Sequence, residues 1–209
     1  MSTVSAVFRD SKNRMWVGTD EGLCLYISGN KFRQFKAKSF TDGGLAGEQV
    51  KVIAEDAYHN IWAGTGTGLS MLRPDGKSFN NYYSGSPNGL SNGNVFALTS
   101  DGTGKMWVGT ENGLNVIDIR SGKISRHFPD GRNRSSLSSK SIRHLYTDKE
   151  GILWVGTYQG GVNKYDKNLT LFQLKQSNAF DPYGLKSPIV TSFARHHHAD
   201  RVYVGTDGG

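Results

Sequence analysis

Asp148-Lys149-Glu150-Gly151-Ile152-Leu153-Trp154-Val155-Gly156-Thr157 joins a polar turn to a short apolar strand, and the chain repeats this statement along its length. Aligned on aromatic-x-Gly-Thr, the landmarks are Trp16, Trp62, Trp107, Trp154 and Tyr203, separated by 46, 45, 47 and 49 residues. An aspartate stands six residues before each tryptophan (Asp10, Asp56, Asp101, Asp148). Three before it stand Asn13, His59, Gly104 and Gly151. This pattern predicts a tight hairpin, with the carboxylate accepting backbone N–H groups across the turn and Gly or Asn supplying a positive φ.

Working outward, each hairpin is preceded by a short strand: Val4 to Phe8, Val50 to Ala54, Val95 to Leu98 and Ile142 to Tyr146. After Gly-Thr a glycine opens a third strand at Gly22, Gly68, Gly113 and Gly161, and a fourth follows around Phe32–Phe35, Phe79–Tyr82, Ile124–Phe128 and Leu171–Leu174. Four strands at a period of this length, without an apolar stripe at helical spacing, predict the blades of an all-β propeller. The 209 residues read as one propeller segment, with blades at 1–46, 47–91, 92–138 and 139–186 and an incomplete fifth at 187–209. A leucine recurs five residues before each new inner strand (Leu45, Leu90, Leu137, Leu185), which predicts a plug between neighbouring blades. An unclosed stack leaves sheet faces open, so the segment is expected to come from a longer chain.

Composition narrows the function. No apolar run approaches the length of a membrane span. The N-terminus shows no basic segment followed by an apolar stretch. A single cysteine, Cys24, makes no intrachain disulfide, and the 27 glycines fall largely in the repeated turns. The net charge of +7 favours acidic partners without naming one.

The run from Leu137-Ser138-Ser139-Lys140-Ser141-Ile142 through Asp148–Thr157 to Gly160-Gly161-Val162-Asn163-Lys164-Tyr165-Asp166 resembles the two-component regulator propeller repeat of hybrid two-component sensors. The resemblance implies a periplasmic ligand-sensing module on a parent chain that goes on to a small β-domain, a membrane helix and a cytoplasmic kinase. It also implies a small-molecule ligand, expected to be an oligosaccharide, and it allows a homodimer. It implies no enzymatic activity in this segment and no cofactor. Membrane contact would come only through parts of the parent chain outside this sequence. Two turns depart from the pattern: His59 takes the glycine position, and His196-His197-His198-Ala199-Asp200 replaces the fifth aspartate hairpin.

Motifs for chemistry are weak. Gly89-Leu90-Ser91-Asn92-Gly93 fits G-x-S-x-G, but a strand follows where a nucleophile elbow needs a helix. The repeated aspartates are spread around a ring, whereas a glycosidase pairs two carboxylates across a few ångströms. Adjacent histidines at 196–198 are expected to form a polar turn, since neighbours on a strand point to opposite faces, and no metal site is expected. A propeller glycosidase or polysaccharide lyase is the enzyme alternative, and a protein-interaction scaffold is a third reading.

Binding fits better on the positions that vary between blades. Directly after Gly-Thr come Asp20-Glu21, Gly66-Thr67, Glu111-Asn112, Tyr158-Gln159 and Asp207, on the face expected to carry the crossing residues Asn94, Lys140 and Ser141. The candidate ligand-binding set is Asp20, Glu21, Asn94, Glu111, Asn112, Lys140, Arg143, Tyr158 and Gln159. Tyr158 is the candidate for stacking on a sugar, with Glu111, Asn112 and Gln159 bonding its hydroxyls. Arg132, Arg134, Lys140, Arg143 and His144 make the fourth crossing basic, which favours an anionic ligand. The missing aromatic interleaving argues against nucleic acid.

Overall fold

A computed structural model describes residues 3–37, 43–133, 135–166, 171–177, 184–195 and 201–207. The first sheet consists of β1 (Val4–Arg9), β2 (Met15–Thr19), β3 (Gly22–Ser28) and β4 (Lys31–Phe35). The second is β5 (Val50–Glu55), β6 (Ile61–Thr65), β7 (Leu69–Leu72) and β8 (Phe79–Tyr82). The third is β9 (Val95–Ser100), β10 (Lys105–Thr110), β11 (Gly113–Asp118) and β12 (Ile124–His127). The fourth is β13 (Ile142–Thr147), β14 (Leu153–Thr157), β15 (Val162–Asp166) and β16 (Leu171–Lys175), and β17 (Val190–Arg195) pairs β18 (Val202–Thr206) in the fifth. Every sheet is antiparallel with its strands in chain order, and the inner strands β1, β5, β9, β13 and β17 touch in succession. The chain is therefore four propeller blades and two strands of a fifth, as the repeat predicted.

The hairpin aspartates do what their spacing implied. One oxygen of Asp10 accepts the N–H groups of Lys12 and Arg14 at 3.0 and 2.8 Å, and Asp56, Asp101 and Asp148 accept from the equivalent residues. The left-handed position is taken by Asn13, His59, Gly104 and Gly151, with φ of 65°, 63°, 118° and 78°. His59 therefore keeps the turn geometry despite its side chain.

The second carboxylate oxygen adds a bond that the turn pattern did not suggest. It accepts the indole N–H of the tryptophan six residues on, at 2.8 Å in Asp10–Trp16, 2.7 Å in Asp56–Trp62 and 2.9 Å in Asp148–Trp154. In the third turn the Thr103 hydroxyl donates to Asp101 at this place instead. Burial alone would raise the Asp10 carboxyl, but the bonds from Trp16 and Arg14 outweigh it and hold the carboxyl below its ordinary value.

The core lies between blades. Trp16 and Leu23 of the first blade pack with Val50, Ile53, Ile61, Ala63 and Leu72 of the second, and Leu45 fills the junction. Leu90 and Leu137 occupy the same place at the next two interfaces. Because each central sheet has a blade on either side, all five residues of β6 are buried. The tryptophans also stack on the outer strand of their own blade, Trp16 on Phe35, Trp62 on Tyr82 and Trp107 on His127.

The Gly of Gly-Thr marks the closest approach. A Cβ placed on Gly18 would stand 2.8 Å from Val50 Cγ1, on Gly64 2.6 Å from Val95 Cγ1, on Gly109 2.7 Å from Ile142 Cγ2, and on Gly156 2.7 Å from Val190 Cγ1. The following threonine is buried and donates its hydroxyl to the carbonyl that starts the third strand, at 2.8 to 3.0 Å in all four complete blades. Gly-Thr thus positions two blades at once.

Two substitution pairs test these contacts by chemical denaturation. Asp56→Ala strands a buried indole N–H and two turn N–H groups and should cost about 3 kcal/mol. Asp101→Ala, whose carboxylate holds no indole, should cost less. Gly64→Ala forces a shift of Val52 or Val95 and should cost about 1–3 kcal/mol. Gly131→Ala, where a Cβ meets nothing within 4 Å, should be nearly neutral. Because the folded carboxyls of Asp10 and Asp101 lie below the ordinary 3.8, their stabilisation is complete above that value and disappears as pH falls through the lowered ones. The midpoint should therefore hold down to about pH 5 and drop steeply below about pH 4.

Candidate functional site

Each inner strand carries a bulge one residue after it begins, which leaves Ser5, Lys51, Phe96, Arg143 and Thr191 outside the regular pairing. Across three successive blades these bulged side chains meet. Lys51 Nζ lies 5.0 Å from the centre of the Phe96 ring, and the Arg143 guanidinium lies 4.0 Å from it. One aromatic face system is thus shared by two cations.

The neighbouring turns close around this array. Lys51 Nζ donates to Asn94 Oδ1 at 2.6 Å, and the Asn94 carbonyl accepts the N–H of Glu111. Arg143 reaches both carboxylate oxygens of Glu111 at 3.4 Å, while the Ser141 hydroxyl donates to Glu111 from 3.3 Å. Tyr158 lies with its ring 5.1 Å from the Arg143 guanidinium and donates its N–H to the Ser141 carbonyl. Arg143 is 29% exposed, yet its Nε is buried without a hydrogen-bond partner. Burial, and then the charge of Arg143, hold His144 below the ordinary imidazole range. The positive charge of the patch near neutral pH therefore resides on Lys51 and Arg143.

Of the nine candidate residues, the structure brings Asn94, Glu111, Arg143 and Tyr158 together. Asn112 and Gln159 stand exposed beside them, Gln159 with φ of 62°. Lys140 is exposed, and its carbonyl accepts the Gly113 N–H. Asp20 is used within the first blade, where its carboxylate accepts the Thr3 N–H, and the carbonyl of exposed Glu21 accepts from Gln34. Arg132 pairs with its own Asp130, away from the array. Arg134 and His196–His198 lie outside the described residues. Lys51 and Phe96 escaped the sequence reading, although each occupies the position of Arg143 in its own inner strand.

Arrangements that look catalytic have structural employment. Ser91 of the G-x-S-x-G stretch donates its N–H to Asn115 Oδ1, and its hydroxyl sits 2.9 Å from Asn115 Nδ2 and 3.0 Å from the Thr110 hydroxyl. Ser138 and Asn163 repeat this clasp at the next crossing. Ser11, Glu55 and His59 also cluster, with both Ser11 Oγ and Glu55 Oε1 3.0 Å from the same imidazole nitrogen, Nδ1. A serine–histidine–acid relay needs them on opposite nitrogens. The three instead tie the first hairpin to the second blade. Among the described residues no group of three or more His, Cys, Asp or Glu could hold a metal ion, and no helix is long and apolar enough to cross a membrane.

Comparison with known proteins agrees with this architecture. The family described as "Two component regulator propeller" matches at residues 2–21, 89–112 and 136–159. A curated relative, histidine kinase P4 of Formosa agariphila, is 37% identical over 75 residues, which cover 34% of this chain and 6% of the relative. The extracellular domain assigned to a one component system of B. thetaiotaomicron superposes with a TM-score of 0.62 at 20% identity, covering 99% of this chain and 33% of that one. A virginiamycin B lyase from Staphylococcus aureus superposes with a TM-score of 0.64 at 10% identity, covering 86% and 57%. The chain thus spans a small part of the kinase and about a third of the one component domain, and at these identities the two structures speak for the fold alone. Matches fall in the first, third and fourth blades, and the second is built on the same aspartate, tryptophan and Gly-Thr bonds. Three segments of the chain thus match the two component regulator propeller repeat, and the second blade shares their construction.

Proposed function

We propose that this propeller segment is the ligand-sensing part of a two-component receptor and that the rim patch around Arg143 takes an anionic oligosaccharide. The observation that carries the reading is the Lys51–Phe96–Arg143 array, two cations on one ring, at positions where the repeat leaves the residue free. Arg143 has donors suited to a carboxylate or sulfate, and exposed Tyr158 offers a flat face beside it. The family and the kinase relative support sensing, with ligand occupancy relayed to a kinase on the parent chain. On this reading the segment faces the periplasm and its parent protein is held in the inner membrane, which fits the extracellular domain that shares its fold.

The lyase neighbour shares the fold at 10% identity, and among the described residues the Ser11–Glu55–His59 cluster, which resembles a catalytic set, has the wrong geometry for it. Glu111 decides how tightly an anion binds, because the ligand must share Arg143 with a carboxylate already present.

An array of sulfated, uronic and neutral oligosaccharides, followed by calorimetric titration of the best binder, tests the proposal. Acidic glycans should bind in preference to neutral ones. Arg143→Gln should weaken the chosen complex at least about tenfold, the loss of a charge-assisted pair. Tyr158→Ala should weaken it by a smaller factor, and Asp20→Asn should leave it unchanged. Indifference to glycan charge, or full affinity in Arg143→Gln, would remove the rim reading.

A further inference from the structure

A second groove lies away from the rim. It has a volume of about 580 Å³ and runs between the second and third blades at the end where the aspartate hairpins turn. Tyr58 contributes a wall from the β5–β6 hairpin, Arg73 follows β7, Asn80 and Tyr82 come from β8, and Arg120 reaches over from the β11–β12 turn.

Repetition separates scaffold from site here. Tyr58 stands two residues after its aspartate, where the other hairpins have Lys12, Thr103 and Glu150. Arg73 stands five after the glycine that opens the third strand, where the other blades have Ile27, Asp118 and Asp166. In the third blade Asp118 caps the following turn by accepting the Ser121 N–H and hydroxyl. In the second blade Asp75 takes over that duty through Lys77 and Ser78, so position 73 is released from it. The two replacements put an aromatic ring and a guanidinium into the same groove.

Arg120 is held in the groove without being consumed. Arg120 donates Nε–H to the Tyr58 hydroxyl at 2.9 Å, with its guanidinium 5.8 Å from the ring centre, and this fixes the fork while leaving its terminal N–H groups. Among the described residues no carboxylate lies in ion-pair contact with Arg73 or Arg120. Asp56, behind the wall, is occupied by Tyr58 N–H, Asn60 and Trp62. Burial pushes the Tyr82 phenol up, so it adds no negative charge.

We infer that the groove between the second and third blades is a second binding site, independent of the rim, for a compact ring-bearing carboxylate or sulfate. The anion sits between Arg73 and Arg120, the ring lies along Tyr58, and the Asn80 amide is available to a hydroxyl. The volume admits a ligand of one or two rings.

Calorimetric titration of the full chain with 4-nitrophenyl β-D-glucuronide, 4-nitrophenyl sulfate and neutral 4-nitrophenyl β-D-glucoside tests this. At least one anion should bind at least tenfold more tightly than the glucoside, and the pair identifies whether carboxylate or sulfate is preferred. Arg73→Gln and Arg120→Gln, both at exposed positions, should each weaken that anion about tenfold without changing the melting temperature. Tyr58→Leu should weaken all ring-bearing probes. The same titrations in Arg143→Gln, where the rim is disabled, should retain the binding that depends on Arg73 and Arg120, which separates this site from the rim. Equal binding of glucuronide, sulfate and glucoside, no binding at millimolar concentration, insensitivity to both groove arginines, or absence of any Arg73- and Arg120-dependent binding in Arg143→Gln would overturn the inference.

Discussion

The whole arrangement depends on one close approach, that of the Gly in each Gly-Thr to the first residue of the next inner strand. Gly18 faces Val50, Gly64 faces Val95, Gly109 faces Ile142 and Gly156 faces Val190, each with less room than a methyl group requires. Apolar burial supplies most of the stabilisation, at about 2 kcal/mol for each large aliphatic side chain taken fully from water. Burial is non-directional, however, and would accept many offsets between sheets. The glycine contact accepts far fewer. It sets where a blade stops sliding over its neighbour, and the buried threonine beside it locks the turn that presents the glycine.

Much of this was legible because one constraint was written down repeatedly. The strands, the hairpins and the leucine plugs follow from residues that recur in phase, and the observed strand limits fall within a residue or two of the expected ones. The indole bond to the aspartate was not legible. The same aspartate already had sufficient employment in the turn, and spacing alone does not assign its second oxygen. His59 looked like a weak point, yet Glu55 and Ser11 hold its imidazole while the backbone takes the left-handed turn. The rim patch was half legible. Its turn residues vary visibly between blades, but Lys51 and Phe96 reach it through a bulge, which changes register without changing composition.

Both proposed sites fall where the repetition lapses. Serines and aspartates that resemble catalytic groups recur from blade to blade and are saturated with hydrogen bonds inside the scaffold. Lys51, Phe96, Arg143, Tyr58 and Arg73 do not recur, and they stand around openings. The two sets of cations occupy opposite ends of the sheets: the rim faces the Gly-Thr turns, while the interblade groove opens beside the aspartate hairpins.

The bulge has a further consequence for how such a protein changes over evolutionary time. A residue that sits outside the ladder of its strand is excused from pairing, and the five such residues here are serine, lysine, phenylalanine, arginine and threonine. One backbone geometry carries small, aromatic and cationic side chains at this place. Duplicating a blade thus copies a frame together with one blank letter, and a lineage can respell its recognition surface one character at a time without refolding the wheel that displays it.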